Sequence, residues 1–314
     1  MGTTVFKRKI YNEILEWKNN RSDKYALLIR GARRVGKSTI VEEFASKEFK
    51  SYIMLDFART SKDINSLFED LYSLDFFFLQ LQQLTGVRLY EQESVIIFDE
   101  VQLLPKARQA IKYLVEDGRY KYIETGSLLS IRKNTKDILI PSEEHKIDMY
   151  PMDFEEFLWA IGDEVTADTI RILLENKRSA GNTMHRSLMR IFRLYMLVGG
   201  MPQAVETYLA DNNLQAVDEA KIEIVDLYEE DFTKIDGTGL AGDVYDAIPA
   251  SLSGNASRYV LANARAGIKS EQMKELVSDM LSSYTVLIAY HANNPSVGMS
   301  LEKDAGRYKL FTSD

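Results

Sequence analysis

The sequence predicts an α/β fold: a three-layer domain around a parallel sheet over residues 1–150, an all-α segment over 151–236, and a short winged-helix-like segment over 241–314. Three observations carry this reading. Residues 31–38 read G-A-R-R-V-G-K-S and match G-x-x-x-x-G-K-[ST], with an apolar run before them and a helical pattern after. Short apolar runs then alternate with helical periods as far as Tyr150, the rhythm of strands joined by crossover helices. At Pro151 the period changes and stays helical to about Ile235.

Residues 5–18 place Phe6, Ile10, Ile14, Leu15 and Trp17 at helical spacing, with Arg8 on the same predicted helix. Residues 26–30 are short and apolar, as a strand buried on both faces must be. Ile40, Val41, Phe44 and Ala45 mark the helix that leaves the loop. Ser51–Asp56 is the second strand, and residues 62–85 are helical, with Phe76, Phe77, Phe78 and Leu79 expected in the core. Ser94–Asp99 is the third strand and ends on two acids, Asp99 and Glu100. Pro105 suits the first turn of a helix that runs to about Asp117. Residues 120–124 form the fourth strand, closing on Thr125, Gly126 and Ser127, and residues 145–150 form the fifth.

Beyond Pro151, Asp153 and Glu156 make a D-x-x-E helix start ahead of the stripe Phe154, Phe157, Leu158 and Ile161. Breaks fall at Gly162, at Gly181 and at Gly199, Gly200, Met201 and Pro202. Gly237, Gly239 and Gly242 read as a linker. After it come helical patterns over 243–252 and 257–264, then a helix carrying Met273, Leu276, Val277, Met280 and Leu281. Strands over 284–290 and 307–312 flank a turn containing Asn293, Asn294, Pro295 and Gly298, and three helices with a hairpin is a winged-helix order.

Composition narrows the function classes. The chain has 314 residues and no cysteine, so disulfides, thiolate metal sites and cysteine nucleophiles are excluded, and a cytoplasmic location is expected. The N-terminus has no apolar core behind its basic residues, and no window approaches a membrane span. A net charge of −8 argues against a surface coated for nucleic acid, though it leaves room for a local basic face. In 241–314, seven basic residues face eight acidic ones, which does not make a phosphate-tracking surface. His145, His185 and His291 show no metal-ligand spacing.

The loop residues imply phosphate chemistry. Gly31 and Gly36 let the backbone curl, with positive φ where needed, so that the N–H groups of Ala32, Arg33, Arg34 and Val35 point into one concavity. The helix entered through Lys37, Ser38 and Thr39 aims its positive end at the same place. Lys37 supplies a charge for the β- and γ-phosphates, and the Ser38 hydroxyl a ligand for Mg²⁺. Asp99 is placed to hold the metal, and Glu100 to take a proton from an attacking water, the second half of an ATPase site. Thr125, or failing it Ser127, can reach the γ-phosphate. Arg33 and Arg34 face the phosphates or pair with surface acids, while Arg132 and Lys133 are candidates for a transition-state finger.

These residues resemble a family of bacterial and archaeal ATP-binding proteins that join an AAA-type ATPase domain to a C-terminal domain of unknown function. The resemblance rests on G-A-R-R-V-G-K-S-T at 31–39, F-D-E-V-Q at 98–102, E-T-G-S-L-L-S at 124–130, M-Y-P-M-D-F-E-E-F at 149–157 and V-G-G-M-P-Q-A-V at 198–205. It implies an extra strand between the two motif strands, a helical lid and a winged-helix segment, with ATP and Mg²⁺ as ligands. It also implies that Pro202, in a Gly-Gly-Met-Pro turn similar to an element of related signalling ATPases, packs near the adenine. Two features depart from the family. Members often carry a Gly-Arg pair where residues 141–146 read P-S-E-E-H-K, and many continue past Asp314 into a nuclease-like domain, so the chain is expected to be short or truncated. The reading favoured is a Mg²⁺-dependent ATPase whose hydrolysis moves the lid. The alternatives are a nucleotide-gated DNA-binding regulator and a protein scaffold docking through the acidic helix 218–236.

Overall fold

The computed structural model describes residues 4–69, 71–126, 141–253, 259, 270–294 and 302–314. The chain divides into two compact units, Met1–Val217 and Asp218–Asp314.

In the first unit, β1 (Ala26–Gly31), β2 (Ser51–Asp56), β3 (Ser94–Asp99), β4 (Lys121–Gly126) and β5 (Glu144–Met149) form one sheet in the order β2-β3-β4-β1-β5. All four described pairings are parallel, and β4 lies between the two motif strands, as the family resemblance implies. Alternate strand residues serve opposite faces. Leu27, Ile29, Ile97 and Ile123 pack against Ile14 and Trp17 of α1 (Ile10–Asn20) and Val41 and Phe44 of α2 (Lys37–Glu48). Leu28, Ile53, Leu55, Ile96 and Phe98 pack on the other side, where α3 (Lys62–Ser66), α4 (Leu74–Thr85) and α5 (Pro105–Asp117) complete the third layer.

Two local expectations change. α1 starts at Ile10, so Arg8 precedes the helix instead of lying on it. The aromatic run of α4 is divided by helical period: Phe77 and Phe78 are core, whereas Phe76 and Leu79 are more than half exposed.

Helices Phe154–Ala160, Thr166–Glu175, Gly181–Val198 and Pro202–Asp211 complete this unit. Asp153 and Glu156 form the expected capping box, each side chain accepting from the other's backbone N–H, at 3.0 and 3.2 Å. Gly199, with φ +83, ends its helix, whereas Gly181 is the first residue of one.

Helix Leu214–Ile235 runs through the division. In the second unit its residues Ala220, Ile224, Tyr228 and Phe232 are buried at four-residue steps. Helix Leu240–Ser253 follows and includes Gly242, which is therefore helical and not linker. The Phe232 and Tyr245 rings lie 5.1 Å apart. Helix Ser270–Ser282 leads to β6 (Val286–Ala292), which pairs antiparallel with β7 (Lys303–Thr312). The expected helix at 257–264 and the turn at Pro295 and Gly298 lie outside the described residues, apart from Tyr259, whose hydroxyl donates to the Val244 carbonyl at 2.9 Å. No described helix is long and apolar enough to cross a membrane.

Candidate functional site

The loop 31–38 hangs from the C-terminal end of β1, where the expectation of a glycine-permitted curl needs one correction. Gly36 has φ +98, but Gly31 does not have positive φ; the other left-handed residue of the loop is Arg34, at φ +65. Gly31 is required for space. A Cβ there would overlap the Met149 carbonyl oxygen of β5 and lie 3.3 Å from Val35 Cγ1. Ala32 and Val35 bury their side chains, leaving their backbone to form the loop, while Arg33 and Arg34 are exposed. The Lys37 ammonium bends back to donate to the Gly31 and Ala32 carbonyls at 3.0 and 2.9 Å. Its burial pushes its pKa below the ordinary lysine range, against the opposing pull of Glu100 and Asp99.

The acids at the end of β3 meet the loop from the next strands. Asp99 Oδ1 accepts from Ser38 Oγ at 2.8 Å and also from Thr125 Oγ1, which β4 brings beside it. Thr125 Oγ1 in turn accepts from the Glu100 backbone N–H at 3.3 Å. Glu100 sits in the left-handed region at φ +53, an unusual conformation for a residue with a side chain, and its carboxylate accepts from Gln102 Nε2. Lys37, Ser38, Asp99, Glu100 and Thr125 are thus brought together. Ser127, Arg132 and Lys133 lie outside the described residues.

Lys37, Ser38 and Glu100 edge a cleft of about 470 Å³, with Val5, Phe6, Ile40, Met149 and Pro202 as its apolar wall. Arg33, Arg34, Thr39 and Arg59 are among its polar lining. Pro202 lies directly against the loop: a Cβ on Gly36 would stand 3.5 Å from Pro202 Cγ. The turn that carries it is fixed by Gly200, whose carbonyl accepts from Met152 N at 2.7 Å and where any Cβ would strike the Met152 backbone.

Three contributors were not legible in the sequence. Buried Arg8 donates to the Val35 carbonyl of the loop at 3.0 Å and to the Tyr150 carbonyl at 2.5 Å, and pairs with Glu156. Arg59 follows β2, the neighbour of β3, and its exposed side chain pairs with Asp56 at 3.5 Å. Gln102 stood within the quoted motif F-D-E-V-Q without an assigned part. Only Gln102 had a local signal, its place two residues after Glu100.

Ser38 Oγ and Asp99 Oδ1 are two oxygen donors side by side, which suits a hard divalent cation whose other ligands are phosphate and water. Among the described residues no group of three or more His, Cys, Asp or Glu forms a metal cage by itself.

Residues 23–158 match the family model of an AAA domain, and residues 189–314 match that of a domain of unknown function (DUF8612). No curated protein matches the chain. Among solved structures the chain is similar to the Walker-type ATPase Paby2304 of Pyrococcus abyssi, at 15% identity over 98% of this chain and 94% of that one, with a TM-score of 0.56. The RuvB Holliday junction branch migration motor of Thermotoga maritima overlays more loosely, at 14% identity over 90% and 89% of the two chains, with a TM-score of 0.36. The likeness to the Pyrococcus protein is one of fold. With the AAA-domain match, it gives the chain an α/β P-loop ATPase fold followed by a helical C-terminal region.

Proposed function

We propose that this chain, whose residues 23–158 form an AAA domain, binds MgATP in the cleft beside Lys37 and hydrolyses it. The observation that carries the reading is the single Asp99 oxygen that accepts from both Ser38 and Thr125. That contact joins the phosphate loop, the metal-binding strand and the strand between them in one network.

The loop N–H groups and the start of α2 bind the phosphates, a helix N-terminus and a backbone nest being complementary to an anion. Lys37 exchanges its loop carbonyls for phosphate oxygens, a charge-assisted contact in a buried setting. Ser38 and Asp99 would hold Mg²⁺, which supplies neutralisation of charge on the β- and γ-phosphate oxygens. Glu100 takes the proton of the attacking water, and Gln102 orients its carboxylate. Thr125 touches both Asp99 and the Glu100 N–H, so its hydroxyl registers whether a γ-phosphate is present. Arg33, Arg34 and Arg59 add positive charge around the cleft. Pro202 packs at the base end against Gly36, and the turn 199–202 passes the state of the cleft to the helices as lid movement. A cysteine-free sequence fits a reducing cytoplasm.

The test is Glu100→Gln. The variant keeps its MgATP affinity, measured by calorimetry, and loses steady-state phosphate release by at least roughly a hundredfold, the lower end of what a general base contributes. Turnover equal to that of the parent chain removes Glu100 from the mechanism.

A further inference from the structure

Residues 176–205 contain no acidic residue and carry Lys177, Arg178, Arg186, Arg190 and Arg193, in a chain whose net charge is −8. All five are exposed, and none is ion-paired to a described residue. By contrast, Arg171 pairs with Asp168 and Glu155, and Lys9 with Asp153 and Glu155.

Three of the five lie on helix Gly181–Val198, which presents them in one line. At 3.6 residues per turn, positions 186, 190 and 193 fall within an arc of about 60° and span about 10.5 Å of axis. The opposite face is fixed to the protein. Tyr195 packs on Phe154 and Phe157 with ring centroids 5.6 and 5.4 Å away, its hydroxyl donates to the Met152 carbonyl at 2.8 Å, and Val198 is fully buried. The arginine face is thereby turned outward. Like charges four residues apart oppose the helix that bears them, so this row persists against helix stability.

We propose that this face is a docking surface for the phosphate backbone of a nucleic acid. Arginine presents a planar fork that matches phosphate oxygens, and the three side chains stand about 6 and 4.5 Å apart along the axis, the scale of neighbouring phosphates on one strand. The exposed side chains flanking the row, Asn182 and Ser187, are the amide and hydroxyl donors that accompany phosphate contacts, and the exposed Leu197 continues the row toward the helix end. Contacts to the phosphate backbone carry no sequence information, so binding is expected to be independent of sequence. It does not depend on the ATPase reading. It also places the nucleic-acid contact on the helix before the Gly-Gly-Met-Pro turn and not on the charge-balanced segment 241–314.

The experiment titrates the full chain against fluorescein-labelled duplex DNA of about 30 base pairs, the matching single strand and poly-glutamate of equal charge, at about 50 and 200 mM salt. Expected are salt-dependent binding of both nucleic acids irrespective of sequence, weaker binding of poly-glutamate, and at least about tenfold weaker binding for R186Q/R190Q/R193Q. The slope of log K against log salt on the duplex should fall by roughly three, one unit per phosphate contact removed. R186K/R190K/R193K, with the same helical circular dichroism, should keep the parent salt slope while binding more weakly than the arginine row. The proposal is overturned by no binding at the lower salt, by a glutamine variant that binds with the parent slope, or by poly-glutamate binding tighter than DNA, which would assign the face to an acidic protein.

Discussion

Arg8 Nε lies 3.2 Å from Glu156 Oε1, with both side chains almost wholly buried, and the same guanidinium donates to the Val35 carbonyl of the phosphate loop. The pair ties the segment before α1, the loop and the first helix after the sheet together. Glu156 is itself fully used, accepting from Lys9 N at 2.6 Å and closing the capping box with Asp153. Removing one partner of such a pair strands a buried charge. Arg8→Ala should lower the unfolding free energy by about 3 kcal/mol, measured by urea denaturation. Arg8→Ala with Glu156→Gln should cost clearly less than the sum of the two single changes; strict additivity would mean that the two side chains do not act as a pair.

Gln102 holds the carboxylate assigned as the base. If that contact orients Glu100, Gln102→Ala should reduce kcat by roughly tenfold, a fraction of what a general base contributes, while MgATP affinity stays within about twofold. The split between kcat and affinity is the readout. A variant that turns over at the parent rate would leave Gln102 with a packing part only.

Gly200 has no room for a side chain, because a Cβ would collide with the Met152 backbone. Backbone cannot yield as a flexible side chain can. Gly200→Ala should cost about 1–3 kcal/mol and, by shifting Pro202 away from Gly36, also weaken nucleotide binding. Gly237, around which an added Cβ would meet nothing within 4 Å, is the control, and Gly237→Ala should stay within about 0.5 kcal/mol of the parent. Equal melting curves for the two variants would disprove the collision.

Glu124 precedes Thr125 on β4 and is fully buried, and neither carboxylate oxygen has a hydrogen-bond partner among the described residues. Burial pushes its pKa well above the ordinary carboxylate range, and the nearby Glu144 carboxylate, held by Arg108 at 2.8 Å, pushes the same way. A raised folded-state pKa means that the folded chain holds a proton the unfolded chain gives up. The group's contribution is therefore fully present below about pH 4.5 and is lost as pH rises through the folded value. Glu124→Gln mimics the protonated form. It should raise the unfolding free energy by at least about 1 kcal/mol near pH 8 and change it little near pH 4, in paired thermal melts. A stabilisation of the same size at both pH values would contradict the protonation account.

Local spacing wrote a large part of this protein. The loop 31–38, the ends of Ser51–Asp56 and Ser94–Asp99, the start of α5 at Pro105 and the Asp153–Glu156 capping box each depend on residues within a few positions of one another, so period and turn chemistry sufficed to place them. Tertiary structure decided what distance along the chain concealed. Thr125 reaches Asp99 across 26 residues because β4 inserts beside β3, and Arg8 reaches the Tyr150 carbonyl across 142 because the parallel sheet brings its strand ends to one edge. The need for glycine at position 31 likewise comes from the β5 backbone alongside it and not from its own φ. Strand order and close approach are set by which distant surfaces bury each other, and no window of sequence contains both surfaces.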